Sequence, residues 1–480
     1  VKTELNGTGA PGADEETGAG RLTLGQGTAM YVGAVLGTGV IALPALAARA
    51  AGPASLLAWA LLVVMSVPLA ATFAALGARH PDAGGVSTYA RLAFGPRAAT
   101  VVGWCFYFAV PPGSAAAALF GGSYVAEAAG GGRATVLVTA ALLMTVVTAA
   151  NAVGLQASGR LQFALAGLLV TLLLVSVALS LPHARAGNLT PFAPHGWTAI
   201  GPAASLLVWS FAGWEAITHL AAEFRRPARD LPRATGAAVA VVGVLYLLVA
   251  FAIITVLGPR AADSAAPLGD LMARGLGGGA RWLAAGAALL LTLGAMNAYY
   301  AGAAKLGSAL GRDGGLPAFL GRGSVAGEVP RRSLAANSAL SFLALAVVSV
   351  TGLGPRPLVL LTTGSFVAVY AIGVAAALRL LPRRSAGWYA AAAALAAVAA
   401  LLLMSGRYLL WPLVVTGAAL LYLRRHRRSG AGPEPGTHGP GSGFTRVKHR
   451  FPMIAGRVRR DEGGGAARAA GQAEEMRGYG

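Results

Sequence analysis

Gly37, Thr38 and Gly39 stand together inside an apolar run, residues 27–51. A helix of about 20 apolar residues spans the hydrocarbon of a bilayer, so this run can cross and its break falls where water cannot satisfy the backbone. A second stretch of the same kind is "WSFAGWEAITHLAAEF", Trp209–Phe224, where Gly213 is flanked by bulky residues. Interrupting a helix frees amide N–H groups at the start of one half and carbonyl oxygens at the end of the other. The amide end attracts a carboxylate and the carbonyl end an ammonium group. Glycine lets those groups face inward with no Cβ in the way. Two such breaks, antiparallel at mid-membrane, would hold a small zwitterion by main chain alone. Glycine also serves plain helix packing in lipid, and for Gly213 taken singly that reading is the simpler one.

Side chains with titratable chemistry gather near the second break. Glu215, His219 and Glu223 are spaced by four and share one helix face. A carboxylate inside a span is costly and is a functional candidate by default. Glu215 is a proton-coupling group, or an acid that bonds a neighbouring helix and fixes the break. His219, with an ordinary pKa of about 6.5, is a relay or a satisfied core residue. Glu223, nearer the edge, pairs with loop arginines. Lys305, the single lysine between Lys2 and Lys448, is a coupling charge, a gate, or a side chain snorkelling to the interface. Asn297, beside Tyr299 and Tyr300, reaches a substrate or links two helices. Phe106, Tyr107 and Pro111 line an apolar pocket or pack. A pocket without a fixed charge partner favours Leu, Ile, Val or Met.

These residues need an all-helical membrane scaffold to position them. The 480 residues are 56% hydrophobic and 12% charged, about half the charged fraction of a soluble chain. Twelve apolar segments are long enough to span, near 27–51, 54–78, 98–128, 134–153, 161–181, 199–221, 235–257, 281–311, 335–352, 358–381, 386–405 and 408–423. Asp230 is placed to N-cap the seventh, with Pro232 in its first turn. The broken spans are the first and the sixth. Matching interruptions in two halves point to a transporter site built from inverted repeats. The net charge of +20 does not imply nucleic acid, because the arginines sit at helix ends. Their bias between alternate loops, about two to one, puts both termini in the cytoplasm.

Residues 1–26 form a polar tail with no sign of a cleaved signal peptide. Residues 27–423 form the transporter domain, with repeat one about 27–181, repeat two about 199–381 and extra helices about 386–423. Residues 424–480 are basic, Gly-rich and without apolar periodicity, and are expected to be disordered, starting with "RRHRR" against anionic headgroups. The lone cysteine, Cys105, excludes an internal disulfide and a thiolate metal cluster. No metal, cofactor or enzyme is expected. HExxH, CxxC, GxSxG and P-loop motifs are missing, so transport would draw on an ion gradient rather than nucleotide hydrolysis.

"LGTGVIALPALAA", "RHPDAGGVSTYARLAFG", "GWCFYFAVPPG", "SFAGWEAITHLAAEFRRPARDLPRA" and "KLGSALGRDGGLP" resemble the amino acid–polyamine–organocation transporters, and among them the bacterial exporters of methionine and branched-chain amino acids. The similarity covers roughly residues 20–425. It implies a five-plus-five inverted-repeat (LeuT-like) fold with helices 1 and 6 broken and two added helices. It implies alternating access driven by protons, with helices 1, 2, 6 and 7 rocking against 3, 4, 8 and 9. By position, Gly37, Thr38 and Gly39 would meet the substrate carboxylate, and carbonyls of Phe211, Ala212 and Gly213 its amino group. The expected protein is a monomer or homodimer in the cytoplasmic (inner) membrane, exporting neutral aliphatic amino acids by proton antiport. An importer of the same fold and a transport-inactive sensor are the alternatives.

Overall fold

The apolar runs fold as helices. The computed structural model describes residues 23–81, 85–154, 159–215, 224–322 and 329–428. Among them there is no strand, and the helices follow in the order α1 (Leu24–Leu36), α2 (Gly39–Ala51), α3 (Ser55–Arg79), α4 (Gly85–Phe94), α5 (Pro96–Ala129), α6 (Arg133–Ala152), α7 (Gly159–Ser180), α8 (Ile200–Leu207), α9 (Pro227–Leu257), α10 (Pro267–Leu276), α11 (Ala280–Arg312), α12 (Arg331–Thr351), α13 (Arg356–Leu380), α14 (Ala386–Ser405) and α15 (Leu410–Arg428).

Local chemistry sets the ends. Thr23 caps α1 in a reciprocal box with Gln26. Gly95, at φ 89°, turns the chain into α5, whose first residue is Pro96, where a missing N–H costs nothing. Helix α9 likewise begins at a proline, Pro227. That corrects the expectation for Asp230. It lies within the first turn of α9 rather than at its cap, with its charge against the positive end of the helix.

Nine stretches among the described residues are long and apolar enough to cross a membrane. Two of them, Gly39–Arg79 and Ala386–His426, have 41 residues, about 60 Å as straight helix and twice the hydrocarbon thickness. Each is divided at a glycine of positive φ, Gly52 at 61° and Gly406 at 51°. Eleven of the twelve expected crossings have a helical counterpart, in order α1 with α2, α3, α5, α6, α7, α9, α11, α12, α13, α14 and α15; α8 begins the sixth, and residues 216–223 lie outside the described residues.

Helices at matching places in the two halves touch: α2 meets α8, α3 meets α9, α5 meets α11 and α6 meets α12. Small residues bring the pairs close, as lipid requires. A Cβ on Gly243 of α9 would stand 2.8 Å from a methyl carbon of Val63 in α3. The helices also separate into two packed groups. One holds α1, α2, α3, α8 and α9; the other holds α5, α6, α11 and α12. The substantial contacts joining them run through α7, α10 and α13.

Helix α10 was missed in the sequence. It is short and amphipathic, with Leu268, Leu271 and Met272 buried. The Tyr124 hydroxyl of α5 donates to the Ile41 carbonyl at 2.5 Å and accepts the Leu268 amide at 3.1 Å, tying α10 to the start of α2. Arg281 bridges Asp270 at 3.2 Å and Glu127 at 3.8 Å. Arg49, at the end of α2, donates to the Ala262 carbonyl at 2.7 Å and reaches Asp263 at 3.7 Å. Together they hold α10 down over the bundle. Ion pairs at this exposure contribute about 0.2–1 kcal/mol each. Arg281→Ala should therefore raise thiol labelling of a Met272→Cys probe about two- to fivefold, in a Cys105→Ala background; an unchanged rate would show that the ion pairs do not hold α10.

Candidate functional site

Both expected interruptions are present. Helix α1 stops at Leu36, Gly37 adopts φ 23° and ψ −148°, and α2 starts at Gly39. Few L residues adopt the Gly37 backbone. In the second half, α8 tightens into a 3-10 turn, Val208–Phe211, then Ala212 is extended and Gly213 reaches φ 124°. The two breaks cross at Gly39 and Ser210. A Cβ on Gly39 would stand 2.9 Å from the Ser210 Cα and closer still to its hydroxyl. Glycine at 39 is thus required by the approach of the other broken helix, in addition to any role toward a ligand. The Ser210 hydroxyl is buried at this crossing with no hydrogen-bond partner among the described residues.

Side chains from distant helices satisfy part of the freed backbone. The Tyr246 hydroxyl of α9 lies 2.7 Å from the Val35 carbonyl and 2.7 Å from the Ser210 carbonyl. Its single proton joins one carbonyl from each break. Trp59 and Phe211 pack against its ring, with centroids 5.0 and 5.2 Å away. Glu215 is buried, and its Oε2 accepts the Gly213 amide at 3.0 Å and the Tyr370 hydroxyl of α13 at 2.7 Å. The acid therefore fixes the second break from within and ties it to α13. Trp209 donates from Nε1 to the Thr38 hydroxyl at 3.3 Å, closing a contact between the breaks. Its ring meets Phe120 of α5 edge-on at 6.3 Å. Tyr299, in mid-α11, is 41% exposed, yet it lies within electrostatic range of Glu215, Tyr246 and Tyr370.

The other expected site residues fall elsewhere or play a different part. The Asn297 amide oxygen accepts from Asn151 Nδ2 at 2.8 Å, so it links α11 to α6. Tyr107 is buried, and its hydroxyl donates to the Ser333 carbonyl of α12 at 3.3 Å. Neither contact involves a residue of either break. Phe106 meets Phe366 edge-on at 5.8 Å. Lys305 is exposed on α11, with no ion pair among the described residues. His219 and Glu223 lie outside the described residues.

Ser210, Tyr246, Tyr370, Trp209 and Tyr299 were missed. The available signal was polar-tipped aromatics in the middle of apolar runs, where a buried phenol needs a partner.

Two interrupted helical segments that meet face to face inside an apolar helical bundle, stabilised by side chains from other helices, define a helical membrane carrier. Comparison with known proteins gives the family. The chain belongs to the amino acid permeases of the amino acid–polyamine–organocation superfamily: the family described as "Amino acid permease" matches residues 22–445. It is similar to the uncharacterized amino acid permease YecA of Bacillus subtilis (strain 168), 34% identical over 84% of this chain and 95% of that protein. It is also similar to the L-methionine/branched-chain amino acid exporter YjeH of Escherichia coli (strain K12), 30% identical over 76% of this chain and 87% of that protein. The branched-chain amino acid permease BcaP of Bacillus subtilis matches at 25% over 50% of this chain and 55% of its own length. The family match reaches residue 445, beyond the limit near 425 expected from motifs alone.

Tyr246→Phe removes the donor shared by Val35 and Ser210 and should cost about 1–3 kcal/mol of stability, read as a lower unfolding midpoint in detergent. Gly39→Val cannot coexist with Ser210 in place. It should weaken amino acid binding at least about tenfold, or 1.4 kcal/mol, while the amount inserted in the membrane stays unchanged; normal binding would show that the crossing does not form the site.

Proposed function

We propose that this permease exports neutral aliphatic amino acids across the cytoplasmic membrane in exchange for protons, with both termini on the cytoplasmic side. One observation carries the reading: the two breaks meet with main-chain polar groups and, among the described residues, a single buried acid, Glu215, whose Oε2 already serves Gly213 and Tyr370. A ligand held there brings its own opposite charges. Its carboxylate meets the amides at Gly37, Thr38 and Gly39, where the positive end of α2 also lies. Its amino group meets carbonyls of Phe211, Ala212 and Gly213.

No charged side chain other than Glu215 is buried among the described residues, which supports an apolar substrate side chain. YjeH is named as an exporter of methionine and branched-chain amino acids, and that name supports both the substrate class and the direction. Because one methylene changes affinity by only about 1–3 kcal/mol in such a pocket, Leu, Ile, Val and Met would all be carried. Glu215, His219 and Lys305 are the groups proposed to couple protons or gate. Asn297 and Tyr107 act as wall contacts that hold α5, α6, α11 and α12 around the proposed substrate path. The group of α1, α2, α3, α8 and α9 would rock against that of α5, α6, α11 and α12, about joints at α7, α10 and α13.

Right-side-out vesicles loaded with radiolabelled leucine test the reading. Acidifying the outside should speed efflux, and isoleucine, valine and methionine should compete. Uptake driven by the same pH step would establish an importer, and movement of only charged amino acids would overturn the substrate class. Glu215→Gln keeps an acceptor for Gly213 and Tyr370 but cannot ionise. If Glu215 couples protons, exchange of leucine for leucine should persist while the response to the pH step disappears; an unaltered response would limit Glu215 to holding the break.

A further inference from the structure

The outer face of the bundle carries a second feature, away from the breaks. Between α5 and α13, closed at one side by the last residue of α4, runs an open groove of about 440 Å³, lined by Phe94, Ala98, Val101, Ala371, Ile372 and Ala375. Every one of these side chains is apolar, and three are alanines, whose missing bulk makes the depression. On α13, Ala371, Ala375 and Arg379 are spaced by four and follow one another along a single face. Arg379 therefore stands one turn, about 6 Å, beyond the last groove residue on that helix. Its guanidinium lies over the ring of Phe94, 5.3 Å from the centroid. It has no carboxylate within ion-pair distance among the described residues. Arg97 is exposed one turn before Val101 on α5, on the same face as that groove residue.

The two helices that supply five of the six lining residues are long and apolar enough to span, with 34 and 25 residues, so hydrocarbon is what most of the groove meets. An apolar slot left empty forfeits dispersion contacts along its whole lining, and a flexible acyl chain can fill it. The end of the slot is not neutral. A guanidinium stacked on an aromatic ring keeps its edge N–H donors free, and those donors match phosphate oxygens in a forked geometry. A zwitterionic headgroup brings its own ammonium to the same place, whereas an anionic one does not. We propose that this groove is a binding site for an anionic phospholipid of the surrounding bilayer. One acyl chain lies along Ala98, Val101, Ala371, Ile372 and Ala375, and the headgroup phosphate sits on Arg379 with Arg97 beside it. The site is separate from the helix breaks and does not depend on what the permease carries or in which direction.

Native mass spectrometry of the full chain in detergent tests this, using phosphatidylglycerol and phosphatidylcholine with identical acyl chains. A basic residue at the membrane surface favours an anionic lipid by about fivefold. Phosphatidylglycerol should be retained at least that much better by the unmodified protein. Arg379→Gln should remove about fivefold of the preference while leaving phosphatidylcholine retention as it was. Ile372→Trp, which fills the slot from its lipid-facing side, should lower retention of both lipids and serves as the test should Arg379→Gln fail to fold. Equal retention of the two lipids by the unmodified protein overturns the proposal. So does a full preference surviving Arg379→Gln, full retention surviving Ile372→Trp, or a dimer that masks residues 371–375 from labelling.

Discussion

A main-chain amide or carbonyl stranded in hydrocarbon has no water to bond, and the organisation of this permease follows from that constraint at two places. Breaking α1 from α2 and ending α8 early strands several such groups at once. The chain satisfies some of them itself. Tyr246 takes a carbonyl from each break, and Glu215 takes the Gly213 amide while Tyr370 holds Glu215 in turn. The start of α2 and the end of the 3-10 turn are the places where, on the proposed reading, the remaining amides and carbonyls meet a ligand. On that reading the backbone polarity is divided between a structural share and a share for a ligand, and the structural share is taken by three side chains from α9, α13 and the break itself.

That division also explains why the broken helices sit where they do in the packing. Tyr246 belongs to α9, which lies in the same packed group as α1, α2 and α8. The bond from Tyr246 therefore does not have to break if that group moves as a body. Glu215 is different, because Tyr370 lies on α13, one of the elements that joins the two groups. The second break is thus held both within its own group, by Tyr246, and across to α13, by Glu215, while the start of α2 is held across to α5 by Tyr124. Trp209 adds a light contact from the second break to the first through Thr38, with its ring against Phe120 of the other group.

The spans were legible because apolar run length is a local property. Residues 386–405 were expected as a helix and α14 has those bounds, and the long spans agree within a few residues at most ends. The first break was legible from Gly37-Thr38-Gly39, and the second from Gly213 once it was paired with the first. Glu215 stood out because a carboxylate in an apolar run is rare. The partners of these residues were not legible. Tyr246 is 211 residues from Val35 and Tyr370 is 155 residues from Glu215, and no periodicity in either helix indicates which neighbour it will meet. Asn297 shows the same limit. Its type suggested a polar contact in mid-membrane, and only the placement of α6 decides that the contact is Asn151. Helix α10 escaped because it is amphipathic and too short to span. Pro267 at its start and Gly277 after its end were the available cues.

On the proposed reading, the geometry at Glu215 links proton binding to the shape of the site without a long relay. The carboxylate is two residues from the glycine whose amide it accepts. Adding a proton to that carboxyl changes what it can accept and donate, and so changes the balance among the Gly213 amide, the Tyr370 hydroxyl and the backbone turn between them. The carbonyls proposed to hold the substrate amino group lie in that same turn. Linkage requires the effect to be reciprocal: if protonation alters how those carbonyls are presented, a bound ammonium group alters proton affinity at Glu215 by the same factor. An exchanger needs this relation, because proton and substrate must disfavour each other at the site for one to drive the other out. A carboxylate bonded to the moving turn itself can supply it over two residues, which is why an acid at 215 fits coupling better than one placed anywhere else along the sixth crossing.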